Sequence, residues 1–154
     1  MQTITLAAGC FWGAEELFRS QPGVSDTEVG YTGGQNQQPT YQLHPGHAEA
    51  LQIRFDPKVV SEAELYDYFF KIHDPTTINR QGNDVGSSYR SSIFYKNDQQ
   101  KLTAEAAIKR NQPYWAKQIV TTLEPLTKFW PAEDFHQDYL QKNPEGYTCH
   151  YERW

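Results

Sequence analysis

Cys10, in the segment Gly9-Cys10-Phe11-Trp12-Gly13, is the residue of this chain best suited to covalent chemistry. Thr3 to Ala7 alternates polar and apolar side chains and predicts a strand, and Phe11 to Arg19 has the three-to-four spacing of a helix. Cys10 is therefore expected at the turn into the helix, where amide groups and the helix dipole lower the pKa of a thiol. The glycines beside it are expected to leave the approach to the sulfur open. The alternative is an inert buried thiol, since free cysteine is among the most buried residue types.

The second cysteine, Cys149, lies at the opposite end of the chain in an irregular tail that also carries Tyr147, His150 and Tyr151. In a reducing compartment the two cysteines are not expected to form a permanent disulfide. Cys149 on its own could be an incidental surface thiol. Paired with a reactive Cys10, it becomes a candidate resolving thiol, which condenses with a sulfenic acid on the other cysteine. Mobility of the tail would allow it to reach Cys10.

Glu49 is the candidate proton donor. It follows Gly46-His47-Ala48 and precedes Leu51, Ile53 and Phe55, which alternate with polar residues and predict a half-buried strand. A glutamate in this position is usually solvated, but burial beside aromatic groups would raise its pKa and allow it to donate a proton near pH 7. His44, His47 and Glu49 match no strong metal-binding pattern, so neither a metal nor any other cofactor is expected.

Aromatic and polar residues could form the walls of a pocket around the sulfur. Phe11 and Trp12 are adjacent on the predicted helix and point in directions about 100° apart, so at least one is free to line a pocket beside Cys10. Such an apolar wall suits a small apolar group, for example a methyl. The long polar connection 74–89 contributes Asp84 and Tyr89, although turn chemistry alone also explains an aspartate there.

The remaining elements predict an α+β protein with helices packed on one mixed sheet. Ser61 and Glu64 form a capping-box pattern ahead of a helix that runs to about Ile72. The other predicted strands span 24–31, 92–95 and 119–123, and the other predicted helices span 99–110 and 133–140. The chain has 154 residues, which predicts a single domain over 1–154.

Composition excludes several classes of function. The net charge of −5 is spread along the chain, without the basic cluster that nucleic acids or anionic lipids require. Apolar stretches are only a few residues long, far below the roughly 20 needed to cross a bilayer. The first residues lack the basic region of a signal peptide, so a cytoplasmic location is expected. Nothing in the sequence demands an assembly larger than a monomer.

Taken together, several segments resemble the peptide methionine sulfoxide reductase A family. They occur in order over nearly the whole chain, and the ordered set is much more specific than any one of them. The matching segments are Gly9 to Gly13, Gly30-Tyr31-Thr32-Gly33-Gly34, Gly46 to Ala50, His73-Asp74-Pro75-Thr76, Asn79 to Gly86, Tyr89-Arg90-Ser91, Ala132-Glu133 and His136-Gln137.

This resemblance implies a two-layer sandwich with a ferredoxin-like core and reduction of methionine S-sulfoxide, both in proteins and as the free amino acid. Cys10 would attack the sulfoxide sulfur and Glu49 would protonate its oxygen. Cys149 would then condense with the Cys10 sulfenic acid to a disulfide that thioredoxin reduces. The resemblance assigns Phe11 and Trp12 to a cage for the S-methyl group, and Tyr41, Asp84 and Tyr89 to the polar side of the pocket.

Two other functions compete with this interpretation. A thiol peroxidase would share the sulfenic acid and the resolving step, but it would not need an acid and aromatic rings around a methyl group. A non-catalytic peptide-binding module would use the aromatic residues as a groove, and its cysteines would have no chemical role.

Overall fold

The computed structural model describes the whole chain, residues 1–154. The chain forms eight strands and four α-helices. The strands are β1 (Gln2–Ala8), β2 (Val24–Thr32), β3 (Ala48–Phe55), β4 (Arg80–Gln81), β5 (Asp84–Val85), β6 (Ser91–Tyr95), β7 (Thr122–Pro125) and β8 (Trp130–Pro131). The helices are α1 (Phe11–Arg19), α2 (Glu62–Ile72), α3 (Asp98–Asn111) and α4 (Tyr139–Lys142).

Six strands form one mixed sheet in the order β7-β6-β1-β3-β2-β8, in which only the β6–β7 pair is parallel. Helix α1 connects β1 to β2, and α2 connects β3 to β6. The four strands β6-β1-β3-β2 with these two crossover helices are the βαββαβ unit of a ferredoxin-like core. The predicted α+β class with a mixed sheet is confirmed.

Alternating apolar residues join the sheet to the helices. Ile4 and Leu6 of β1 pair in register with Ile53 and Leu51 of β3, and all four are almost fully buried. The capping box of α2 forms as predicted: the Ser61 hydroxyl accepts a hydrogen bond from the Glu64 amide at 3.0 Å, and the Ser61 amide donates to the Glu64 carboxylate at 3.1 Å. The start of α2 and the buried faces of β1 and β3 therefore follow from the local sequence.

Two predictions near the end of the sheet were wrong. The strand expected over 119–123 begins only at Thr122, because the Ile119 amide donates to the Gln112 side chain at 2.9 Å and the Val120 amide donates to the Pro75 carbonyl at 2.8 Å. The helix expected over 133–140 is a 3-10 turn at 134–136 followed by α4. Asp138 separates them in a left-handed conformation, with φ of 56°.

The long connection 74–89 contains a hairpin formed by the short strands β4 and β5, followed by a 3-10 turn at Ser87–Tyr89. The C-terminal tail has no regular structure but is fastened to α2: the Arg153 amide donates to the Lys71 carbonyl at 3.0 Å, and the Tyr68 hydroxyl donates to Glu152 at 2.9 Å. None of the four helices combines the length and apolar character needed to span a membrane.

Candidate active site

Cys10 is the N-cap residue of α1, at the junction with β1, as the sequence predicted. Its side chain is buried, and burial raises the pKa of the thiol, with the nearby charge of Glu49 acting in the same direction. The backbone N–H of Trp12 lowers this pKa, as expected at a helix start, but its effect is outweighed. The expectation of a lowered pKa for Cys10 is therefore wrong.

The glycines flanking Cys10 accommodate other parts of the chain, so the expectation that they open the approach to the sulfur is also wrong. Gly9 has a φ of +90°, and a Cβ there would lie 2.6 Å from the Cβ of Gln81. A Cβ on Gly13 would lie 2.5 Å from Nδ1 of His150. Both glycines allow distant segments to pack directly on the backbone around Cys10.

Glu49 is the second residue of β3 and is 1% exposed. It lies on the same strand face as Leu51 and Ile53, which places a carboxyl group on the apolar face of the strand. Its Oε1 accepts a hydrogen bond from the Phe11 amide at 3.2 Å, and its Oε2 is buried without a partner. Burial raises the pKa of Glu49 to about 8, with a smaller contribution from Asp84.

The two aromatic residues after Cys10 separate, as their spacing on the helix predicted. Phe11 is 1% exposed within the main core, whereas Trp12 is only partly buried. The Trp12 ring stacks on Tyr139 with centroids 3.9 Å apart and planes 10° apart. Its Nε1–H donates to Nδ1 of His136 at 3.0 Å. Because His136 accepts at Nδ1, its proton is on Nε2, which is buried and has no partner.

The polar residues predicted for the pocket lie near Glu49. The charge of Glu49 contributes to the raised phenol pKa values of Tyr41 and Tyr89, after the larger effect of burial, and the two phenol groups interact with each other. Asp84 raises the pKa values of Cys10, Glu49 and both tyrosines. The structure therefore brings Tyr41, Asp84 and Tyr89 together around the predicted nucleophile and acid.

Sequence reasoning gave no role to Glu133, which joins two segments behind the site. Its Oε1 accepts a hydrogen bond from the Tyr31 hydroxyl at 2.9 Å, and its Oε2 accepts one from the Tyr41 amide at 3.1 Å. The centroid of the Tyr41 ring lies 4.5 Å from that of His136. Glu133 and His136 lie in two of the segments that carry the family resemblance. No periodic pattern around them indicated which residues they contact.

Cys149 is a free, partly buried thiol, and Cys10 is also free. The two are close enough for the charge of Cys149 to raise the pKa of Cys10. Contacts hold the tail on both sides of Cys149: the Tyr147 hydroxyl lies 3.2 Å from Asp84, and Nε2 of His150 lies 2.6 Å from the Ala8 carbonyl oxygen. The tail is therefore docked against the strand that precedes Cys10, rather than free as the mobility argument assumed.

These residues combine a buried thiol with a buried carboxylic acid that has a free oxygen. Such a pair can deliver a nucleophile and a proton to the same substrate. No group of three or more His, Cys, Asp or Glu side chains is arranged to hold a metal ion.

Known proteins resemble this chain in both sequence and fold. The family model described as peptide methionine sulfoxide reductase matches residues 2–153. A "peptide methionine sulfoxide reductase MsrA" of Mycolicibacterium vanbaalenii is 55% identical over 96% of this chain and 89% of its own length. The reduced form of Mxr1 from Saccharomyces cerevisiae superposes with a TM-score of 0.94 at 41% identity, covering 99% of this chain and 92% of that one.

A second structure of yeast Mxr1, in complex with Trx2, gives a TM-score of 0.70 at 32% identity, covering 99% of this chain and 90% of that one. The family model and the MsrA relatives extend over almost all of the present sequence. The chain therefore belongs to the peptide methionine sulfoxide reductase A family.

Proposed function

We propose that this chain reduces methionine S-sulfoxide, in peptides and as the free amino acid, with Cys10 as the nucleophile, Glu49 as the proton donor and Cys149 as the resolving thiol. The enzyme class, peptide-methionine (S)-S-oxide reductase, follows from membership of the family. The physiological role would be the repair of oxidised proteins.

The observation that carries the proposed mechanism is the state of Glu49. At a pKa of about 8, most of the group is protonated at pH 7. Oε1 already accepts the Phe11 amide, so the proton belongs on the unpartnered Oε2. A sulfoxide oxygen is a strong hydrogen-bond acceptor and a poor leaving group until it is protonated. An acid with one buried, unused donor position is suited to this oxygen.

In the first step, the Cys10 sulfur attacks the sulfoxide sulfur while Glu49 protonates the oxygen. The oxygen is transferred to the Cys10 sulfur and methionine leaves as the thioether. The transferred oxygen carries the Glu49 proton into a sulfenic acid on Cys10, and the thiol proton passes to Glu49, which is thereby protonated again. Methionine sulfoxide is reduced by two electrons and Cys10 is oxidised by two, so the step balances without a cofactor.

The aromatic and polar residues around the thiol would orient this substrate. The partly buried Trp12 and the adjacent, buried Phe11 would form the cage for the S-methyl group. Tyr41, Asp84 and Tyr89 would line the polar side, on which the sulfoxide oxygen and the methionine backbone lie.

Thioredoxin is the proposed reductant of the Cys10–Cys149 disulfide. The complex of Mxr1 with Trx2 supports this choice. The reaction is thiol–disulfide exchange, in which a thiolate of the reductant attacks one sulfur of the disulfide and releases the other cysteine.

The decisive experiment measures methionine release from separated S and R sulfoxides by reduced wild-type protein and by Cys10→Ser and Cys149→Ser. We expect activity on the S form only and none in Cys10→Ser, because a hydroxyl is a much weaker nucleophile than a thiol and its oxygen cannot form a sulfenic acid. Cys149→Ser should release about one methionine per enzyme and then stop when thioredoxin is the reductant. Release from Cys10→Ser would refute the assignment of the nucleophile.

A competition assay separates this function from that of a thiol peroxidase. Reduced protein is offered methionine sulfoxide and hydrogen peroxide together, and the loss of each is measured. A preference for peroxide by orders of magnitude would overturn the proposal.

A further inference from the structure

His150, the residue after Cys149, is docked beneath the nucleophile. Its side chain is buried, and its Nε2 lies 2.6 Å from the carbonyl oxygen of Ala8, two residues before Cys10. This contact joins the tail to the end of β1 directly behind the catalytic turn. The 142 positions that separate the two residues make it one of the longest-range contacts in the chain.

The Ala8 contact fixes the tautomer of His150. A carbonyl oxygen only accepts hydrogen bonds, so Nε2 must carry the proton and Nδ1 must be the acceptor. Nδ1 lies 4.0 Å from the Sγ of Cys149, so the thiol of Cys149 can direct its weak S–H donor toward the ring. The same histidine therefore fastens the tail and orients the neighbouring sulfur.

The backbone around Cys10 provides space for this ring. Gly13 lies in the first turn of α1, and a Cβ there would approach both Nδ1 of His150 and Oγ1 of Thr148. The Thr148 hydroxyl accepts a hydrogen bond from the His150 amide at 3.2 Å. Residues on both sides of Cys149 thus fit a space that exists only because position 13 has no side chain.

We propose that His150 is a positioning residue for the resolving step: by hydrogen bonding to the Ala8 carbonyl and packing over Gly13, it holds Cys149 within reach of the sulfenic acid on Cys10. This inference rests on the proposed function, and it concerns only the second half of the reaction. Neither family membership nor the roles assigned above to Cys10 and Glu49 require it.

The step that His150 supports is a condensation. The Cys149 sulfur attacks the sulfenic sulfur of Cys10, an S–S bond forms and the S–O bond breaks. The departing oxygen takes up the Cys149 proton and leaves as water, so no external oxidant is needed. Holding the two sulfurs close replaces a search by a flexible tail with a reaction between neighbouring groups.

A role for His150 as the base that deprotonates Cys149 fits the site less well. Burial lowers the pKa of His150 to about 4, with Arg153 acting in the same direction. Taking the proton would place a cation in a buried site that accommodates a neutral ring. The hydrogen bond to Ala8 needs only the neutral form.

The test compares two variants. His150→Leu replaces the ring with an apolar side chain of similar bulk that has no hydrogen-bond donor, whereas the side-chain amide of His150→Gln can replace the Nε2–H donor. Reduced enzyme is mixed with excess methionine S-sulfoxide. Methionine and the intramolecular disulfide are then measured by rapid quench and mass spectrometry, and a sulfenic-acid-specific reagent traps the intermediate. Thioredoxin is absent, so each enzyme reacts once.

For His150→Leu we expect methionine to form at the wild-type rate, but the disulfide to form roughly five- to tenfold more slowly, as for loss of one buried hydrogen bond. Trapped sulfenic acid should accumulate. His150→Gln should recover most of the wild-type rate. Unchanged or faster disulfide formation in His150→Leu would overturn the proposal, and so would an equal slowing of both steps.

Gly13→Ala tests the same contact from the other side without changing the tail. Alanine favours the helical conformation of α1, so the helix itself should persist, but its methyl group would displace His150 and Thr148. Its expected defect matches that of His150→Leu. Tyr151→Ala is the matched control, since Tyr151 is the next residue, is 59% exposed and should leave both steps unchanged.

Failure of this inference can be distinguished from failure of the proposed function. If Cys10 were not the nucleophile, Cys10→Ser would still release methionine. If Cys149 were not the resolving thiol, Cys149→Ser would still turn over repeatedly with thioredoxin as the reductant. With both results as proposed, the His150 and Gly13 variants test the positioning role alone.

Discussion

Cys10 and Glu49 occupy one buried site, and burial raises the free energy of charging either side chain. Burial and the Glu49 charge both oppose a Cys10 thiolate, and burial keeps Glu49 protonated up to about pH 8. The resting pair therefore holds two protons near neutral pH. The acid is ready before substrate arrives, and the thiolate forms most easily while Glu49 is neutral. This differs from the expected split, in which the helix start would lower the pKa of the Cys10 thiol while burial raised that of Glu49.

Glu49→Gln tests the acid directly. Glutamine keeps the shape and can still accept the Phe11 amide, but it has no acidic proton to give to the sulfoxide oxygen. We expect the rate of methionine formation to fall by about 10²- to 10⁴-fold, the usual contribution of a general acid. Stopped-time assays of methionine release measure this, with Glu105→Gln, an exposed position on α3, as the control. A loss of less than about tenfold would remove Glu49 from the proposed role.

Trp12 is the residue that tests the methyl cage. Trp12→Ala removes the ring that stacks on Tyr139, and we expect KM for methionine sulfoxide to rise roughly three- to tenfold through lost apolar contact. Trp12→Phe keeps an aromatic wall but loses the donor to His136, so its KM should lie between those of the wild type and Trp12→Ala. Steady-state kinetics on free methionine sulfoxide gives both values. An unchanged KM in Trp12→Ala would place the methyl group elsewhere.

At the level of elements, local sequence patterns located most of the secondary structure, because the interactions that define it are local. Helix α1 spans the predicted 11–19, and the α2 capping box joins residues only three positions apart. The failures involve distant partners. The Val120 amide donates to the Pro75 carbonyl, and the amide of the left-handed Asp138 donates to the Glu15 carboxylate. Nothing within a short window of sequence indicates either contact.

The same distinction applies to the site. The position of Cys10 follows from a strand pattern that meets a helix pattern. Glu49 lies on the face marked by Leu51 and Ile53, which is also readable from the sequence. Glu133 and His136 lie in an irregular segment, where no period predicts which way a side chain points, so only the folded chain reveals their contacts.

Gln137 shows how that irregular segment is held to the sheet. Its Oε1 accepts the Val29 amide at 2.9 Å, and its Nε2 donates to the Val29 carbonyl at 2.8 Å and to the Ala132 carbonyl at 3.1 Å. The side-chain amide therefore pairs with β2 as a neighbouring strand would. It anchors the segment that carries His136 and Tyr139 beside Trp12.

We expect Gln137→Ala to destabilise the protein by about 1–3 kcal/mol, because it leaves the Val29 amide without its partner. The loosened segment should also raise KM for the sulfoxide, since His136 and Tyr139 would no longer support Trp12. Urea unfolding gives the change in free energy, and steady-state assays give KM. Gln141→Ala, at an exposed position on α4, is the control and should change neither. A stable variant with normal kinetics would show that this pairing is dispensable.

At the scale of the whole molecule, the sheet order explains why distant residues meet. The register that pairs Leu6 of β1 with Leu51 of β3 brings the turn after Ala8 beside Glu49. The tail then crosses this edge, held by His150 at Ala8 and by Tyr147 at Asp84. A nucleophile, an acid and a second thiol from three parts of the chain thus meet at one end of β1, which no local pattern could predict.

Burying Glu49 at this meeting point makes the stability of the whole protein depend on pH. An unfolded glutamate ionises near 4.5, whereas the folded group ionises near 8. Between these values the folded state holds a proton that the unfolded state has released. The contribution of this proton to the free energy of unfolding is therefore fully present below about pH 4.5. It is lost as pH rises toward 8, by about 1.4 kcal/mol per pH unit.

Other buried groups titrate in the same range, so the difference between wild type and Glu49→Gln isolates this contribution. We expect the variant to gain stability relative to wild type as pH rises from 5 to about 8, reaching several kcal/mol at the upper end. Urea unfolding at half-unit intervals of pH measures it, and the range stops below the titration of the cysteines. A difference that stays flat would mean that Glu49 is already ionised in the folded protein. It would then have no proton to give to a sulfoxide at neutral pH, because stability and catalysis depend on the same protonation state.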